Sequence, residues 1–248
     1  MNITQTIEKL HALKLTGMVA ALEEQQQQNS ITELSFHERF SLVVERQWLW
    51  KEDRALARRL QYAAFKIKST MEEIDYRHPR NLQREQIEAL RGGAWIDQIR
   101  NVLIIGPTGV GKSFLGCAIG HHACQQSYRT LYYYAPKLFR DLESARVDGS
   151  LTRLLAKLMK VRLLLIDDLG IVSANADQYR QLLEVLDDRC GNGSLIVTSQ
   201  VPVAQWHEMI PDSTVADAIL DRLVHNAYRV ELNGQSMRKL TAKTKKKS

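Results

Sequence analysis

Apolar residues in the first third of the chain recur at the three- and four-residue spacing of one helix face. One run contains Ile7, Leu10, Leu13 and Leu15, and a longer run extends from residue 36 to residue 60. Pro79 ends this pattern, because the residue before a proline is pushed away from helical geometry. We therefore predict a small all-helical N-terminal domain over residues 1–78, with a linker near residues 75–82.

Beyond the linker, short apolar runs alternate with helical stretches. The runs at 101–105, 130–134, 161–166 and 194–198 are typical of buried parallel strands. The stretches at 113–126, 135–145, 151–160 and 177–190 are helical in pattern. This alternation predicts an α/β fold with a doubly wound parallel sheet over residues 79–238. Ligands of such sheets bind beyond the carboxyl ends of the strands.

Composition narrows the class of protein. The chain has 248 residues, of which 44% are hydrophobic and 25% charged, which excludes collagen-like and low-complexity chains. Its three cysteines (Cys117, Cys124 and Cys190) lack zinc-site spacing and are odd in number, so no disulfide framework is indicated. Because neither a membrane-spanning run nor a signal-peptide pattern is visible, we expect a cytoplasmic protein without membrane contacts.

The formal net charge of +6 is concentrated in two segments. Residues 239–248 form a basic C-terminal tail that we predict to be disordered, and residues 39–68 hold eight basic residues against three acidic ones. Either segment is explained by a solvated surface or by binding to a polyanion. The candidates for phosphate-driven, sequence-tolerant binding of such a polyanion are Lys51, Arg54, Arg58, Arg59, Lys66 and Lys68.

A glycine-rich motif follows the first predicted strand and opens the first helix of the sheet. It matches the phosphate-binding pattern GxxxxGK[ST] in the context that the pattern requires. Its glycines bring backbone N–H groups around a phosphate chain, Lys112 supplies a cation for the β and γ phosphates, and the Ser113 hydroxyl is a magnesium ligand. The motif predicts binding of ATP and Mg²⁺ by Gly106, Pro107, Thr108, Gly109, Val110, Gly111, Lys112 and Ser113.

Polar residues end two further predicted strands. Asp167 and Asp168 follow an apolar run, where Asp167 is the candidate for the outer shell of the metal and Asp168 for orienting or activating water. A plain strand exit is the alternative interpretation of this acid pair. Thr198, Ser199 and Gln200 end the next strand, where a hydroxyl or amide either holds the attacking water or caps the strand.

Four sequence strings together resemble the AAA+ ATPases, and within them the group of the DnaC helicase loader and the IstB transposition helper proteins. The strings are GPTGVGKS, LLLIDDLG, SLIVTSQVPVAQWHE and ADAILDRLVHNAYRVELNGQSMRKL. The third and fourth are most similar to IstB proteins, and the resemblance covers nearly the whole chain. It implies a Walker A element at residues 106–113 and a Walker B element at Asp167 and Asp168.

The resemblance also implies roles for residues outside these two elements. It places a first sensor at Ser199 or Gln200, a second sensor at Arg238, and an arginine finger at Arg222 that acts in trans within a homo-oligomer. Two features depart from typical AAA+ proteins. Asp168 stands where most of them have Glu, and the chain after Arg222 is too short for their helical lid.

The function that the resemblance implies is that of an ATP-dependent DNA transposition helper. Such an ATPase assembles on double-stranded DNA with ATP and recruits or stimulates a separately encoded transposase. The main alternative is a replicative helicase loader. An ATP-gated DNA-binding scaffold and a small-molecule P-loop kinase are further alternatives, and no acidic triad suggests strand cutting.

Overall fold

A computed structural model describes residues 2–28, 31 and 33–237 of the chain. The predicted second sensor, Arg238, and the basic tail at 239–248 lie outside this part. The chain divides into two compact units, Met1–Arg58 and Arg59–Ser248.

The first unit contains α1 (Ile3–Ala12), α2 (Thr16–Gln27) and most of α3 (Phe36–Ala63). Helices α2 and α3 approach closely at Gly17, where an added Cβ would lie 2.7 Å from the Cα of Gln47. The Gln47 side chain accepts a hydrogen bond of 3.1 Å from the Met18 amide. The helical character predicted for this region is therefore observed.

The division between the units differs from the predicted boundary at residue 78, because it falls inside α3. Residues that follow the division pack on the second unit instead. The Arg59 Nε donates to the Cys124 carbonyl at 2.8 Å, and the ring of Phe65 lies against Gly120. His78-Pro79 thus marks a turn within the second unit.

The second unit is built on one five-stranded sheet. Its strands are β1 (Asn101–Ile105), β2 (Thr130–Tyr134), β3 (Leu163–Leu169), β4 (Ser194–Ser199) and β5 (Ala227–Glu231). The strand order is β2-β3-β4-β1-β5, and every neighbouring pair is parallel. The four predicted strands are confirmed. The edge strand β5 was not predicted, because its sequence AYRVE has no continuous apolar run.

Helices cover both faces of this sheet, which confirms the doubly wound α/β fold. One face buries a core around Leu142, Tyr179 and Trp206, and the other a core around Ile87 and Trp95. The helices are α4 (Arg84–Arg91), α5 (Ala94–Asp97), α6 (Lys112–Gln125), α7 (Ala135–Val147), α8 (Leu151–Met159), α9 (Ala176–Arg189), α10 (Trp206–Met209) and α11 (Ser213–Val224). Within the described ranges, no helix is long and apolar enough to cross a bilayer.

Candidate functional site

A cavity of about 570 Å³ opens at the carboxyl ends of the strands. This volume is within the range of small-molecule sites. The motif between β1 and α6 lines one wall, and Asp168 and Gln200 extend into the cavity from the ends of β3 and β4. Lys66 and Arg80, from the segment before the sheet, line it as well. The structure thus brings the predicted phosphate motif, one predicted acid and one predicted sensor to a single cavity.

The glycine-rich loop is held open around this cavity by backbone geometry. Gly111 precedes α6 at a φ of 99°, and a Cβ there would lie 2.5 Å from an Arg80 Nη1. Only glycine combines this conformation with this close approach. The Gly106 amide donates to the Ser199 carbonyl at 3.2 Å, which fastens the start of the loop to β4.

Within the loop, the eight motif residues divide into two groups. Thr108, Gly109, Gly111, Lys112 and Ser113 line the cavity, whereas Gly106, Pro107 and Val110 shape the loop behind it. Lys112 is only 5% exposed, and its Nζ donates to the Pro107 carbonyl at 3.0 Å across the loop. The ammonium group is therefore held at the mouth of the backbone cradle and beside the amino end of α6, where a phosphate is stabilised.

The first acid of β3 is fully buried and bonded by two hydroxyl groups. The Thr198 hydroxyl donates to Asp167 Oδ1 at 2.6 Å, and the Tyr132 hydroxyl donates to Asp167 Oδ2 at 2.9 Å. Thr198, Tyr132 and Asp167 come from β4, β2 and β3, so their side chains link three strands of the sheet. Burial and the neighbouring carboxylate raise the pKa of Tyr132 well above its ordinary value, which keeps the phenol protonated as a donor.

The second acid leaves the regular strand. Between Ile166 and Leu169, β3 carries one residue more than β4, which is a β-bulge. Asp168 lies in this bulge at a φ of 60°, a left-handed conformation that aspartate tolerates better than most residues. Its amide donates to the same Thr198 hydroxyl at 2.9 Å. The bulge brings the Asp168 side chain into the cavity while Asp167 stays in the buried hydroxyl pocket.

The charge state of Asp168 reflects its half-buried position. Burial raises the pKa of its carboxyl above the ordinary aspartate value, and the nearby Asp167 carboxylate raises it further. Lys66 and Lys112 act in the opposite direction. Such a carboxylate is a stronger proton acceptor than an exposed one, which suits a group that activates water.

The two sensor candidates have different environments. The Ser199 hydroxyl donates to the Leu169 carbonyl at 2.7 Å and accepts from the Val201 amide at 3.1 Å, so it links β4 to β3 within the core. Gln200 lines the cavity, and its Oε1 accepts a 2.6 Å hydrogen bond from the Thr108 hydroxyl. Of the two, Gln200 is placed to contact a bound phosphate.

Arg80 is a site residue that sequence reasoning missed. It is 3% exposed, and its guanidinium donates to the Val110 carbonyl at 2.9 Å and to the Asp75 carbonyl at 3.0 Å. The Arg80 carbonyl accepts from the Asn233 amide, and the Met237 amide donates to the Gly109 carbonyl. These hydrogen bonds stabilise the glycine-rich loop. No sequence motif predicts them, because they join segments that are far apart in sequence.

Arg222 lies near the amino end of β1, whereas the cavity lies at the carboxyl ends of the strands. Its carbonyl accepts from the side chain of Asn101, the first residue of β1, and its Nε is ion-paired with Asp187 of α9. It is not among the residues that line the cavity of its own chain.

The six basic DNA candidates do not form one group. Lys51, Arg54 and Arg58 lie on the exposed surface of α3 in the first unit. Arg59 is bonded to the Cys124 carbonyl, and Lys68 is exposed. Lys66 lines the cavity.

The strand order, the glycine-rich loop after β1 and the acid pair on β3, with β4 between these two strands, define a P-loop protein of the AAA+ type. The family described as IstB-like ATP binding protein matches residues 8–248. The chain belongs to this family.

Relatives along nearly the whole chain support this membership. The protein y4pL of Sinorhizobium fredii, which is named as an insertion sequence ATP-binding protein, is 47% identical to this chain over 234 residues. The match covers 94% of this chain and 96% of the relative. The corresponding protein named for IS21 in Pseudomonas aeruginosa is 30% identical over 229 residues, covering 92% and 86%.

Solved structures resemble the sheet unit. DnaI matches with a TM-score of 0.58 at 22% identity, over 66% of this chain and 91% of that chain. AMPPCP-bound DnaA from Aquifex aeolicus matches with a TM-score of 0.57 at 20% identity, over 74% and 56%. The DnaC helicase loader matches with a TM-score of 0.52 at 18% identity, over 62% of this chain and 93% of that chain. At these identities the likeness establishes the fold.

Asp168→Asn is expected to stabilise the protein at neutral pH. The fold raises the pKa of Asp168, so the ionised carboxylate costs stability above that pKa, and the cost disappears as pH falls below it. We expect the variant to melt above the wild type near about pH 8, with the difference declining toward zero near about pH 4, in thermal unfolding followed by circular dichroism.

Asp212→Asn is the control of opposite sign, because the Val215 amide and Arg180 lower the pKa of Asp212. Asp212→Asn should give no gain in Tm at neutral pH. If Asp168→Asn melts at or below the wild-type temperature near about pH 8, the raised pKa assigned to Asp168 is contradicted.

Proposed function

We propose that this protein is an ATPase that uses ATP binding and hydrolysis to assemble on DNA and to recruit or stimulate a separate transposase. The observation that carries the ATPase proposal is the position of Asp168. Its carboxyl group is turned by the β-bulge into the cavity that Lys112 and the glycine-rich loop line. A nucleotide-binding loop next to a proton-accepting carboxylate is the arrangement that hydrolysis requires.

Each part of the cavity has a task in this reaction. The amides of the loop and the Lys112 ammonium bind the β and γ phosphates and stabilise the charge that builds on them in the transition state. Asp168 orients the attacking water and accepts its proton. Gln200, fixed by its hydrogen bond to Thr108, lies where an amide contacts the γ phosphate or the water.

The residues present also fit a magnesium ion. Ser113 lines the cavity with a hydroxyl oxygen, and Asp167 offers a carboxylate whose recorded hydrogen-bond donors are two neutral hydroxyl groups. Oxygen donors of these types are those that Mg²⁺ prefers, either directly or through water. When bound, the ion would neutralise charge on the β and γ phosphates. Ser113 would hold it, with the buried Asp167 in its outer shell.

The link to transposition comes from the relatives, which are named as ATP-binding proteins of insertion sequences at identities of 30–47%. DnaI and the DnaC helicase loader share only the fold with this chain, at 22% and 18% identity. We therefore prefer the transposition role to the loader role. An insertion sequence protein without nuclease residues of its own needs a transposase encoded separately.

Helix α3 is the surface that we propose for these partners. Its first half exposes large apolar side chains, with Phe36 at 67% and Trp48 at 57% exposure, which suits contact with a protein. Its second half carries Lys51, Arg54 and Arg58, which suit contact with phosphates of double-stranded DNA. The proposal assigns the transposase to the first half and DNA to the second.

Arg222 completes the proposal as a finger that acts between subunits. Its guanidinium is far from the cavity of its own chain, so it is free to serve only a neighbour's γ phosphate once the ion pair with Asp187 opens. A guanidinium delivered in this way stabilises transition-state charge. Hydrolysis therefore depends on a homo-oligomer.

Arg222→Ala should leave ATP binding intact and reduce turnover by about 10³-fold, because a finger acts mainly in the transition state. Turnover is measured as phosphate release in the presence of duplex DNA. Mixing Arg222→Ala with Lys112→Ala should recover part of the activity, since a mixed oligomer contains sites with both an intact loop and an intact finger.

Asp187→Asn is the matched control, because it removes the same ion pair and keeps the arginine. It should retain turnover. If Asp187→Asn loses as much as Arg222→Ala, or if mixing recovers nothing, Arg222 has a structural role within its own chain and the proposal of a trans finger fails.

DNA binding through α3 should depend strongly on salt. The affinity for random duplex DNA should fall by about tenfold or more between about 50 and 200 mM salt, because counterions are released on binding. Changing Lys51, Arg54 and Arg58 together to glutamine should lower the slope of log K against log salt by about 2–3. Fluorescence anisotropy measures both effects.

The same number of charges removed from α7 and α8, as Lys137, Arg153 and Lys157 to glutamine, tests whether position matters. That variant should keep the wild-type slope. Equal slopes for the two triple variants would exclude α3 as the DNA surface.

A further inference from the structure

The chain between α3 and the sheet contacts α6 at Gly120 and at Phe114. A Cβ at Gly120 would lie 2.8 Å from the Phe65 ring, so the absence of a side chain there gives the ring its place. The Ser69 hydroxyl donates to the Phe114 carbonyl at 3.0 Å. Helix α6 begins at Lys112, so Phe114 lies in its first turn, next to the glycine-rich loop, and Gly120 lies further along the helix. Residues 65–69, which we call the α6 strap, therefore run beside the helix toward the glycine-rich loop.

Lys66 is the residue of the α6 strap that enters the cavity. Its backbone is held between the anchored residues Phe65 and Ser69, while its side chain is exposed and lines the cavity. The Lys66 Nζ lies 5.0 Å from the centroid of the Tyr134 ring, a cation–π distance that limits where the ammonium group moves. A long cationic side chain on a fixed backbone is thus directed into the site.

The position of Lys66 is at the phosphate end of the cavity. Tyr134 ends β2 and is paired in register with Asp167 of β3, so the ammonium group lies beside the strand ends from which Asp168 emerges. Its charge acts on the Asp168 carboxyl together with that of Lys112. Two lysines therefore act on the side of the cavity where the terminal phosphate and the attacking water belong.

We propose that Lys66 binds the terminal phosphate of ATP and makes the site distinguish a nucleoside triphosphate from a diphosphate. This inference rests on the proposed function. A lysine outside the loop motif suits this task, because the loop amides and Lys112 serve the β phosphate as well, whereas a cation beside Asp168 meets only the third phosphate.

Isothermal titration calorimetry of the full chain with AMPPCP and with ADP, both in Mg²⁺, tests this proposal. We expect Lys66→Gln to weaken AMPPCP binding by about tenfold, equivalent to ~1.4 kcal/mol, and to change ADP binding by less than about twofold. Lys66→Arg should restore most of the AMPPCP affinity. Lys160→Gln, an exposed lysine at the end of α8 away from the cavity, should bind both nucleotides as the wild type does.

The outcomes separate this inference from the proposed function. If the wild type binds both nucleotides and Lys66→Gln weakens them equally or not at all, the inference is overturned and the ATPase proposal stands. If the wild type binds neither nucleotide, both are overturned. Because Lys66 is exposed, the variant should melt at the wild-type temperature, and a lowered Tm with equal loss of both nucleotides would also count against the phosphate contact.

Discussion

The site depends on one buried carboxylate and the hydroxyl groups that bind it. Asp167 is fully buried, and burying a charge is costly unless hydrogen bonds compensate for it. The Thr198 hydroxyl donates a hydrogen bond to the Asp167 carboxylate and accepts one from the Asp168 amide. One side chain of β4 thus fixes both acids of β3. Tyr132 adds β2 to the same cluster. Three strands are thereby fixed relative to one another.

The position of Asp168 follows from this cluster. In a regular strand, successive side chains point to opposite faces, and the second acid would have no reason to face the loop. The extra residue between Ile166 and Leu169 frees Asp168 from the ladder, and the Thr198 hydroxyl stabilises its left-handed backbone. The Gly106 amide is bonded to the carbonyl of Ser199, the residue after Thr198, so the loop and the carboxylate share one support. Strain at this point is stored where the chemistry requires it.

Much of this arrangement could be predicted from local sequence. The loop motif carries its own chemistry, and continuous apolar runs mark buried strands, so four of the five strands and the loop were found where predicted. The resemblance to IstB proteins was confirmed by the family match over residues 8–248. The fixed spacing of these signals along the chain is what makes them visible.

Other parts depend on contacts that join distant segments. Nothing in the sequence of β2 marks Tyr132 as a site residue, because only the register of β2 with β3 brings its hydroxyl to Asp167. Arg80 and Lys66 lie in a segment without a motif, and the hydrogen bonds of the loop and the packing on α6 bring them to the cavity. From sequence alone, Lys66 groups with the basic residues of α3, because the local charge pattern does not show that Lys66 lines the cavity.

The central claim is that a triphosphate binds where Lys112 and the loop meet the Asp168 carboxylate. The most direct measurement is a calorimetric titration of AMPPCP with Mg²⁺ into the wild type and into Lys112→Ala. The account predicts one site per chain in the wild type and an affinity at least about 100-fold weaker in the variant, a loss of ~2.7 kcal/mol. Equal affinities, or no heat of binding in the wild type, would contradict it.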